Sequence, residues 1–345
     1  MSSSDRIRFG IVGCGRISGY HLEALAALSQ DAVVAAVCDV VPERARQAAE
    51  RAPGARWYTD LGEMLAAGGL DVLSVCTPSG LHPEHGIAGA LAGLHVVCEK
   101  PIGIDLPSVD RLIETCEAHN VRLFTVLQNR LNPTVVALRR AMDHGRFGRL
   151  ALMQVNVFWS RPQEYYDQAP WRGTWALDGG AFMNQASHYV DLAQWFGGEV
   201  QEVCALTGTL GRRIEAEDTG TAILRFQDGA LASLNVTMLV HPRNLEGSLT
   251  LLGLRGTAKV GGIALNRIEH WEFDSYRDED RDILATGYLP PTVYGHGHLG
   301  YYRNVIAVIR GQAEPSTDGR EGRKSLALIR AIYDSAARGG SPVRP

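Results

Sequence analysis

Residues 7–18 read IRFGIVGCGRIS, an apolar run that passes directly into two closely spaced glycines. The run is typical of a buried strand, and the residues after it begin a pattern typical of a helix. Backbone N–H groups at such a helix start can hold a pyrophosphate, so the turn predicts a dinucleotide site. The residues expected to form it are Gly13, Gly15, Arg16 and Ile17. Because Ser18 replaces the third glycine of the usual fingerprint, a plain tight turn is the alternative.

The same alternation continues to about residue 127. Short β-branched apolar runs occupy residues 7–12, 32–38, 72–76, 95–98 and 121–127, and helical patterns centre on Leu22, Arg46, Leu65, Ile87 and Leu112. Strands that alternate with helices are typical of a parallel sheet covered by helices. The sequence therefore predicts an α/β protein whose N-terminal part is a Rossmann dinucleotide-binding domain.

The polarity pattern changes after Gly148. Residues 151–159, 203–210, 219–226 and 231–238 alternate polar and apolar side chains, which predicts antiparallel strands. The pair Asp228-Gly229 lies between the last two runs and predicts a two-residue hairpin turn. Asn132-Pro133 is a typical helix start, and further helices are expected over residues 180–195, 299–310 and 322–337.

Bulk composition narrows the class of protein. A net charge of -4 without a long basic run leaves no electrostatic footprint for nucleic acid or an anionic membrane, so a small-molecule partner is expected. No apolar stretch approaches the about 20 residues of a membrane helix, and the polar residues 1–5 lack an export signal. The six cysteines form no Cys-x-x-Cys pair. We interpret them as reduced core residues of a cytoplasmic protein, with disulfide or zinc roles as the alternative.

Asp39 follows the second predicted strand, at the spacing of the acidic residue that binds the adenosine ribose hydroxyls. Its charge would repel a 2′-phosphate, and no arginine follows it directly. NAD is therefore predicted as the cofactor in preference to NADP. A solvated helix-capping aspartate before Pro42 is the alternative.

Two further motifs follow the predicted strands 72–76 and 95–98, and they read TPSGLH (residues 77–82) and EKP (residues 99–101). Ligands bind at the carboxyl edge of open α/β sheets, where both motifs would lie. We expect cofactor contacts from Thr77, Pro78, His82 and Glu99, the last to the nicotinamide ribose. Lys100 would polarise or deprotonate a substrate hydroxyl, unless the Glu–Lys pair is only a solvated salt bridge.

Residues 178–191 read DGGAFMNQASHYVD, a glycine-rich loop that runs into a predicted helix. Asn184, His188 and Asp191 have the spacing of residues on one helical face. A histidine held there by hydrogen-bonding neighbours is suited to acid–base work, although a satisfied core histidine would look the same.

In this order, the motifs resemble the Gfo/Idh/MocA oxidoreductase family. The resemblance implies an NAD-binding Rossmann domain, residues 1–127, and a substrate-binding and oligomerisation domain, residues 128–345, with an open, mostly antiparallel sheet. It also implies that Lys100 and His188 are catalytic and that Gln128, Trp171 and Arg172 reach the cofactor. Many members carry Asp four residues before the histidine, where this chain has Asn184.

The segments FWSRPQEYY (residues 158–166) and WRGTW (residues 171–175), with Asn184-Gln185, are similar to the WlbA subgroup. Its members oxidise carbon 3 of UDP-N-acetylglucosaminuronic acid, a step towards bacterial surface sugars such as those of lipopolysaccharide O-antigen. This similarity implies substrate contacts from Lys100, Arg161, Tyr165, Tyr166, Asn184, Gln185 and His188. Arg161 could pair with the uronate carboxylate and the tyrosines could stack on a sugar or uracil; a surface cation and core tyrosines are the alternative.

The predicted reaction is hydride transfer from a sugar carbon to nicotinamide. His188 would be the base and Lys100 would orient the hydroxyl, or these roles are exchanged. No metal is expected. Another sugar or cyclitol dehydrogenase or ketosugar reductase of the same family, or a non-catalytic NAD or nucleotide-sugar sensor, remains open. Alternate apolar positions on the open sheet face predict a homodimer or homotetramer that buries it.

Overall fold

The computed structural model describes residues 6–288 and 297–345; residues 1–5, used above for their polarity, lie outside this range. The chain divides into two compact units, Met1–Gln128 with His298–Arg323, and Asn129–Gly297 with Lys324–Pro345. The expected division placed residues 298–323 in the second domain, and this was wrong. Burial is the reason, because Tyr302 is 0% exposed and its ring meets Phe9 of the first unit edge-on at 5.5 Å.

A six-stranded parallel sheet forms the centre of the first unit. Its strands are β1 (Ile7–Val12), β2 (Ala32–Cys38), β3 (Arg56–Tyr58), β4 (Val72–Val75), β5 (His95–Cys98) and β6 (Leu123–Thr125). They lie in the order β3-β2-β1-β4-β5-β6, which is the Rossmann order and confirms the predicted fold class. The short β3 was not predicted, because its three residues are not buried and form no apolar run.

Five helices connect these strands, and each contains the residue on which a helical pattern was centred. They are α1 (Ser18–Ala27), α2 (Pro42–Glu50), α3 (Leu61–Ala66), α4 (His82–Leu91) and α5 (Leu106–Ala118). Asp60 and Asp105 cap α3 and α5 by accepting the backbone N–H of Glu63 and Ser108. Helices α2, α4 and α5 carry proline in the first turn, where its missing N–H is not needed.

The second unit contains a seven-stranded sheet. Its strands are β7 (Leu150–Phe158), β8 (Val200–Gly208), β9 (Thr219–Phe226), β10 (Leu231–Thr237), β11 (Glu246–Gly253), β12 (Gly256–Gly261) and β13 (Arg267–Phe273). The order is β13-β12-β11-β7-β10-β9-β8, and every neighbouring pair except β7 and β10 is antiparallel. The mostly antiparallel sheet is confirmed. Strands β11 to β13 were not predicted, because glycines bound β12 on both sides and charged residues occupy β13.

The connection between β9 and β10 is longer than the predicted two-residue turn. Residues 227–230 form it, and the backbone N–H of Phe226 donates to the carbonyl of Ala230 at 2.9 Å. Gly229 has a φ of 89°, so glycine does supply the left-handed conformation that the connection needs.

The remaining helices are α6 (Pro133–Asp143), α7 (Gln163–Asp167), α8 (Ser187–Gly197), α9 (Gly297–Ile309) and α10 (Gly319–Ala337). Asn132 precedes α6 as expected, but its side chain makes no capping hydrogen bond. The helix predicted over residues 180–195 begins only at Ser187. Asn184 therefore lies in the preceding turn, and the predicted helical face shared by Asn184 and His188 was wrong.

The two faces of the second sheet differ in polarity. Alternate apolar positions such as Val155, Leu224 and Leu234 are buried inside the unit, and α8 packs against β7. The outward positions combine exposed Ile223 with a polar row across four strands, Thr221, Asn235, Asn156 and Glu246, joined by hydrogen bonds of 2.9, 3.1 and 3.3 Å. The outward face is thus mixed rather than apolar at alternate positions, so the expected oligomer stays a prediction.

Two bulk predictions can be compared with the structure. All six cysteines are free, and four of them, Cys38, Cys76, Cys98 and Cys116, are buried, as expected for reduced core residues. Among the described residues, no helix is long and apolar enough to cross a membrane.

Candidate functional site

The glycine turn between β1 and α1 has the geometry that a pyrophosphate requires. Gly13 has a φ of 88°, and a Cβ there would lie 2.6 Å from the Cys76 backbone. A Cβ at Gly15 would meet nothing within 4 Å, so this backbone is open to a ligand. The start of α1 has no side-chain cap, which leaves its N–H groups available. Ser18 fits in place of glycine because its hydroxyl donates to the Gly15 carbonyl at 2.7 Å.

Asp39 lies directly after β2 and is only 8% exposed. One carboxylate oxygen accepts the Cys14 N–H of the glycine turn at 2.8 Å, and the other accepts the Val41 N–H at 2.9 Å. The side chain is therefore not the solvated cap of the alternative reading. Each oxygen retains a lone pair for a further donor such as a ribose hydroxyl.

Gln128 provides a second feature that fits a cofactor. Its side chain is fully buried just after β6, and within the described residues neither its amide nitrogen nor its amide oxygen has a hydrogen-bond partner. A buried amide without partners costs free energy, which a polar ligand could recover. The open Gly15 backbone, Asp39 and Gln128 together fit NAD at the carboxyl edge of the first sheet.

His82 connects the two motifs at that edge. Its Nε2 lies 2.7 Å from the Thr77 carbonyl and its Nδ1 lies 2.7 Å from the Pro101 carbonyl. Burial lowers the pKa of His82, and the two carbonyl contacts oppose that shift. Both ring nitrogens are thus engaged with backbone, so the structure places His82 between the two loops. Thr77 in turn contacts Nδ1 of His85 at 2.9 Å through its hydroxyl.

A buried hydrogen-bonded cluster surrounds Glu99, and sequence reasoning missed its other members. His21 Nε2 lies 2.9 Å from the Glu99 carboxylate, and His21 Nδ1 lies 2.6 Å from the Tyr302 hydroxyl, which contacts Ser74 at 2.9 Å. Because a carboxylate only accepts, His21 donates from Nε2 to Glu99. The residues concerned are up to 281 positions apart, so no local motif could reveal them.

The electrostatics of this cluster keep Glu99 charged. Burial raises the pKa of Glu99, but the hydrogen bond from His21 and the nearby His298 ring outweigh it and hold the pKa well below its ordinary value. The other carboxylate oxygen accepts the backbone N–H of Lys100 at 3.0 Å. Glu99 is 3% exposed, so the observed role of this carboxylate is to fix the backbone from which Lys100 projects. The ribose contact remains a prediction.

His298 completes a group of three donors with His21 and Glu99, whose ligand atoms all lie within 4.8 Å of one another. Its Nε2 is 3.8 Å from the Glu99 carboxylate, and its ring stacks on Tyr20 at 5.6 Å. Because His21 and Glu99 already form a hydrogen bond, we interpret the group as a buried polar cluster built on that bond. Nothing in the sequence indicated this contact, because His298 belongs to α9, far along the chain from His21 and Glu99.

In the second unit, hydrogen bonds to Glu217 hold the turn that precedes α8. One Glu217 oxygen accepts the Phe182 N–H and the Tyr333 hydroxyl, both at 2.9 Å, while the Glu217 carbonyl accepts the Ala181 N–H at 3.0 Å. Burial raises the pKa of Glu217 to about 7. These bonds hold the backbone at the start of the turn over residues 181–186, which precedes α8. The sequence signal was only a glutamate next to Asp218, which is not distinctive.

The predicted catalytic histidine, His188, lies in the first turn of α8 and is 7% exposed. Asn184 donates its amide to the buried Asp178, which also accepts the Gly173 N–H at 2.7 Å. Gln185 is buried, and its amide nitrogen has no partner in the described part of the chain. The Arg130 guanidinium donates two hydrogen bonds to the Asp191 carboxylate, at 2.6 and 2.8 Å, and these bonds anchor α8.

The segment around Arg161 forms a stack of alternating cations and rings. Arg161 lies 5.1 Å from the Trp159 ring and 5.5 Å from the Tyr165 ring, and Arg172 lies 4.2 Å from Tyr165 and 4.9 Å from Trp171. Such contacts fix the guanidinium planes. The structure therefore brings Arg161, Tyr165, Trp171 and Arg172 together.

Tyr166 differs from its neighbour. It is 5% exposed, and burial raises its pKa above the ordinary value, so it matches the alternative reading as a core residue. Tyr165 is half-buried and keeps part of its ring accessible. Of the predicted site residues, Lys100 and the cofactor residues up to Gln128 lie in the first unit, and His188 and the substrate residues from Arg161 onwards lie in the second.

Comparison with known proteins adds two family matches. A model described as an oxidoreductase family with an NAD-binding Rossmann fold matches residues 7–127. A second model, described as the GFO/IDH/MocA C-terminal domain, matches residues 135–259.

Individual proteins are similar over nearly the whole chain. The WlbA dehydrogenase from Bordetella pertussis, solved with NADH and UDP-GlcNAcA, is 52% identical, with 99% of each chain covered and a TM-score of 0.95. The WlbA dehydrogenase from Chromobacterium violaceum, solved with the same ligands, is 49% identical, with 99% of this chain and 96% of that chain covered and a TM-score of 0.93. The myo-inositol 2-dehydrogenase of Thermotoga maritima is 32% identical over 93% of this chain and 94% of its own length.

Proposed function

Because the chain belongs to the Gfo/Idh/MocA oxidoreductase family, we propose that this NAD-dependent dehydrogenase oxidises carbon 3 of UDP-N-acetylglucosaminuronic acid (UDP-GlcNAcA). The observation that carries the proposal is the higher identity to two WlbA dehydrogenases than to the myo-inositol dehydrogenase. The oxidised sugar would serve the synthesis of bacterial surface polysaccharides such as O-antigen.

The residues of the first unit support the cofactor part of this proposal. NAD, when bound, supplies the hydride acceptor. The open backbone at Gly15 and the N–H groups of α1 would hold its pyrophosphate, Asp39 its adenosine ribose, and Gln128 a further polar group. Lys100, whose backbone is fixed by Glu99, would orient the sugar hydroxyl and stabilise negative charge that develops on its oxygen.

The residues of the second unit would handle the proton and the sugar. His188, on a helix anchored through Asp191 and Arg130, would accept the proton of the hydroxyl. Gln185 offers a buried amide nitrogen to the sugar. Asn184, held by Asp178, keeps that loop in place without the charge that many family members have there. Exchange of the roles of His188 and Lys100 would give the same products.

A second candidate is oxidation of a free cyclitol or sugar, which the identity to the myo-inositol 2-dehydrogenase favours. A non-catalytic sensor of NAD or a nucleotide sugar would bind both ligands without hydride transfer. The three functions differ in one measurable quantity, which is NADH formation with each substrate.

The test follows NADH absorbance with UDP-GlcNAcA, UDP-N-acetylglucosamine and myo-inositol. We expect kcat/KM to be highest for UDP-GlcNAcA, by at least roughly tenfold. His188→Asn should lower kcat by ~10²- to 10⁴-fold, because it removes a positioned base, while NAD binding stays the same. Faster turnover of myo-inositol would contradict the proposal in favour of the cyclitol candidate. Binding of NAD and UDP-GlcNAcA without any reduction would establish the sensor.

A further inference from the structure

The second unit contains a surface groove of about 700 Å³ that the reacting residues do not use. It lies where the chain leaves β7 and β10, and its walls come from residues 160, 162, 212, 240–244 and 263. The polar and charged side chains that face it are Ser160, Arg212, His241, Arg243 and Asn244. A groove of this size is larger than one sugar ring needs and is in the range of small-molecule sites.

The charge of this groove is strongly positive and locally uncompensated. Within the described residues, neither Arg212 nor Arg243 forms an ion pair with a carboxylate, unlike surface arginines such as Arg8, which pairs with Asp71 at 2.7 Å. Arginines on a protein surface that lack acidic partners attract anions into a concave site. No carboxylate residue lines the groove.

Hydrogen bonds hold Arg212 in place, together with Arg161, which lies in the sequence between the lining residues Ser160 and Pro162. The Nε of Arg212 donates to the Arg161 carbonyl at 2.6 Å, and Arg161 donates to the Asn244 side chain at 3.3 Å. Asp218 fixes the loop of Arg212 through backbone N–H groups, including that of Arg212 itself at 2.8 Å. The buried acid therefore orders the loop without pairing with the guanidinium. A preorganised cation loses less entropy when it binds an anion.

Asn244 links the groove to the cation and ring stack. Its side-chain oxygen accepts the Ser160 N–H at 2.9 Å as well as the Arg161 bond, so these hydrogen bonds join the turn after β7 to the turn after β10. Arg243, next in sequence, is exposed, and its side chain forms no hydrogen bond or ion pair with the described residues. Its guanidinium group is therefore available to an anionic ligand.

We infer that this groove is a phosphate subsite, which takes the diphosphate of a nucleotide-linked substrate through Arg243 and Arg212. Guanidinium groups suit phosphate oxygens because their parallel N–H groups form two bonds at once. The inference rests on the proposed function, because the groove would bind the UDP part of the proposed substrate. A carboxylate alone would engage one arginine, whereas a diphosphate carries charge enough for both.

The experiment measures binding of UDP and of inorganic pyrophosphate to the NAD-loaded enzyme by titration calorimetry, in 50 mM and in 200 mM salt. We expect both anions to bind, more weakly at the higher salt concentration. Arg243→Gln should raise the Kd for UDP by roughly tenfold or more, in the range of a lost charge-assisted bond. Arg338→Gln is the matched control, because Arg338 is also exposed in the second unit but does not line the groove.

The outcomes separate this inference from the proposed function. UDP binding that falls in Arg243→Gln and not in Arg338→Gln supports the subsite, whether or not UDP-GlcNAcA is oxidised. Equal Kd values in wild type and Arg243→Gln, or no binding of UDP at all, would overturn it even if UDP-GlcNAcA is the substrate. Failure of the proposed function appears instead as absent NADH formation with UDP-GlcNAcA by an enzyme that still binds UDP.

Discussion

Single buried side chains in this protein form hydrogen bonds on which the surrounding backbone depends. Glu217 is the sharpest case, since it is 3% exposed and one of its oxygens has no partner among the described residues. Its other oxygen holds the turn that leads into α8 and His188. An ionised carboxylate in such a place is costly, and its protonated form is favoured there.

This gives a prediction for Glu217→Gln. Burial raises the pKa of Glu217 from its ordinary 4.5 to about 7. The folded protein thus holds a proton that the unfolded chain has lost, so wild-type stability falls as the pH rises from 4.5 through 7. Glutamine keeps the acceptor oxygen and never ionises. The variant should therefore gain about 3 kcal/mol on wild type across that window.

Urea unfolding at pH 4.5, 6 and 8 measures this difference. Glu50→Gln, at the exposed end of α2, is the control and should show no such trend. A Glu217→Gln protein whose advantage over wild type does not grow with pH would show that the Glu217 carboxylate is not kept protonated.

At the scale of elements, the turn between β1 and α1 separates a structural glycine from a functional one. Gly13 needs its positive φ and its missing Cβ, because the Cys76 backbone lies against it. Gly15 has neither constraint, since a Cβ there would point into open space. The two glycines of one motif are thus present for different reasons.

The prediction compares Gly13→Ala with Gly15→Ala. The first should lower the free energy of unfolding by at least ~2 kcal/mol, from the left-handed backbone and the contact with Cys76. The second should leave stability nearly unchanged but weaken NAD binding by about tenfold, ~1.4 kcal/mol, because the methyl group occupies ligand space. Thermal unfolding and NAD titration measure the two effects. Loss of stability in Gly15→Ala with normal NAD binding would reverse the assignment.

At the scale of the whole molecule, the chain returns to its first unit near its end. Helix α9 places Tyr302 against Phe9 and His21, so the Rossmann unit is incomplete without residues that follow the second sheet. In residues 1–128 alone, the buried pair of His21 and Glu99 would lack its contact with Tyr302. Folding of the first unit therefore depends on a contact of very long sequence separation.

Two substitutions at Tyr302 test this dependence. Tyr302→Ala removes a fully buried ring and should cost ~3–5 kcal/mol of stability. Tyr302→Phe keeps the ring and loses only the bonds to His21 and Ser74, so about 1 kcal/mol is expected. Denaturant unfolding of the full chain measures both. Similar losses in the two variants would mean that the hydroxyl, not the packing of α9, matters.

The sequence by itself determined the Rossmann unit, the mostly antiparallel second sheet, and the motifs at the strand ends. These features follow from local physics: strand and helix periods, proline and aspartate at helix starts, and glycine where φ must be positive. The points at which the helices of the first unit begin, and the position of Asp39 after β2, were predictable for that reason.

Only the tertiary structure decided which distant groups meet. His21 and Tyr302 are 281 positions apart, and Glu217 shapes the turn that the periodic pattern assigned to a helix. The two arginines of the groove, Arg212 and Arg243, come from two separate loops, and Tyr166 is buried beside a partly exposed Tyr165. A periodic pattern records which side of an element is apolar. It does not record which partner a buried polar group finds, because that partner arrives from another part of the chain.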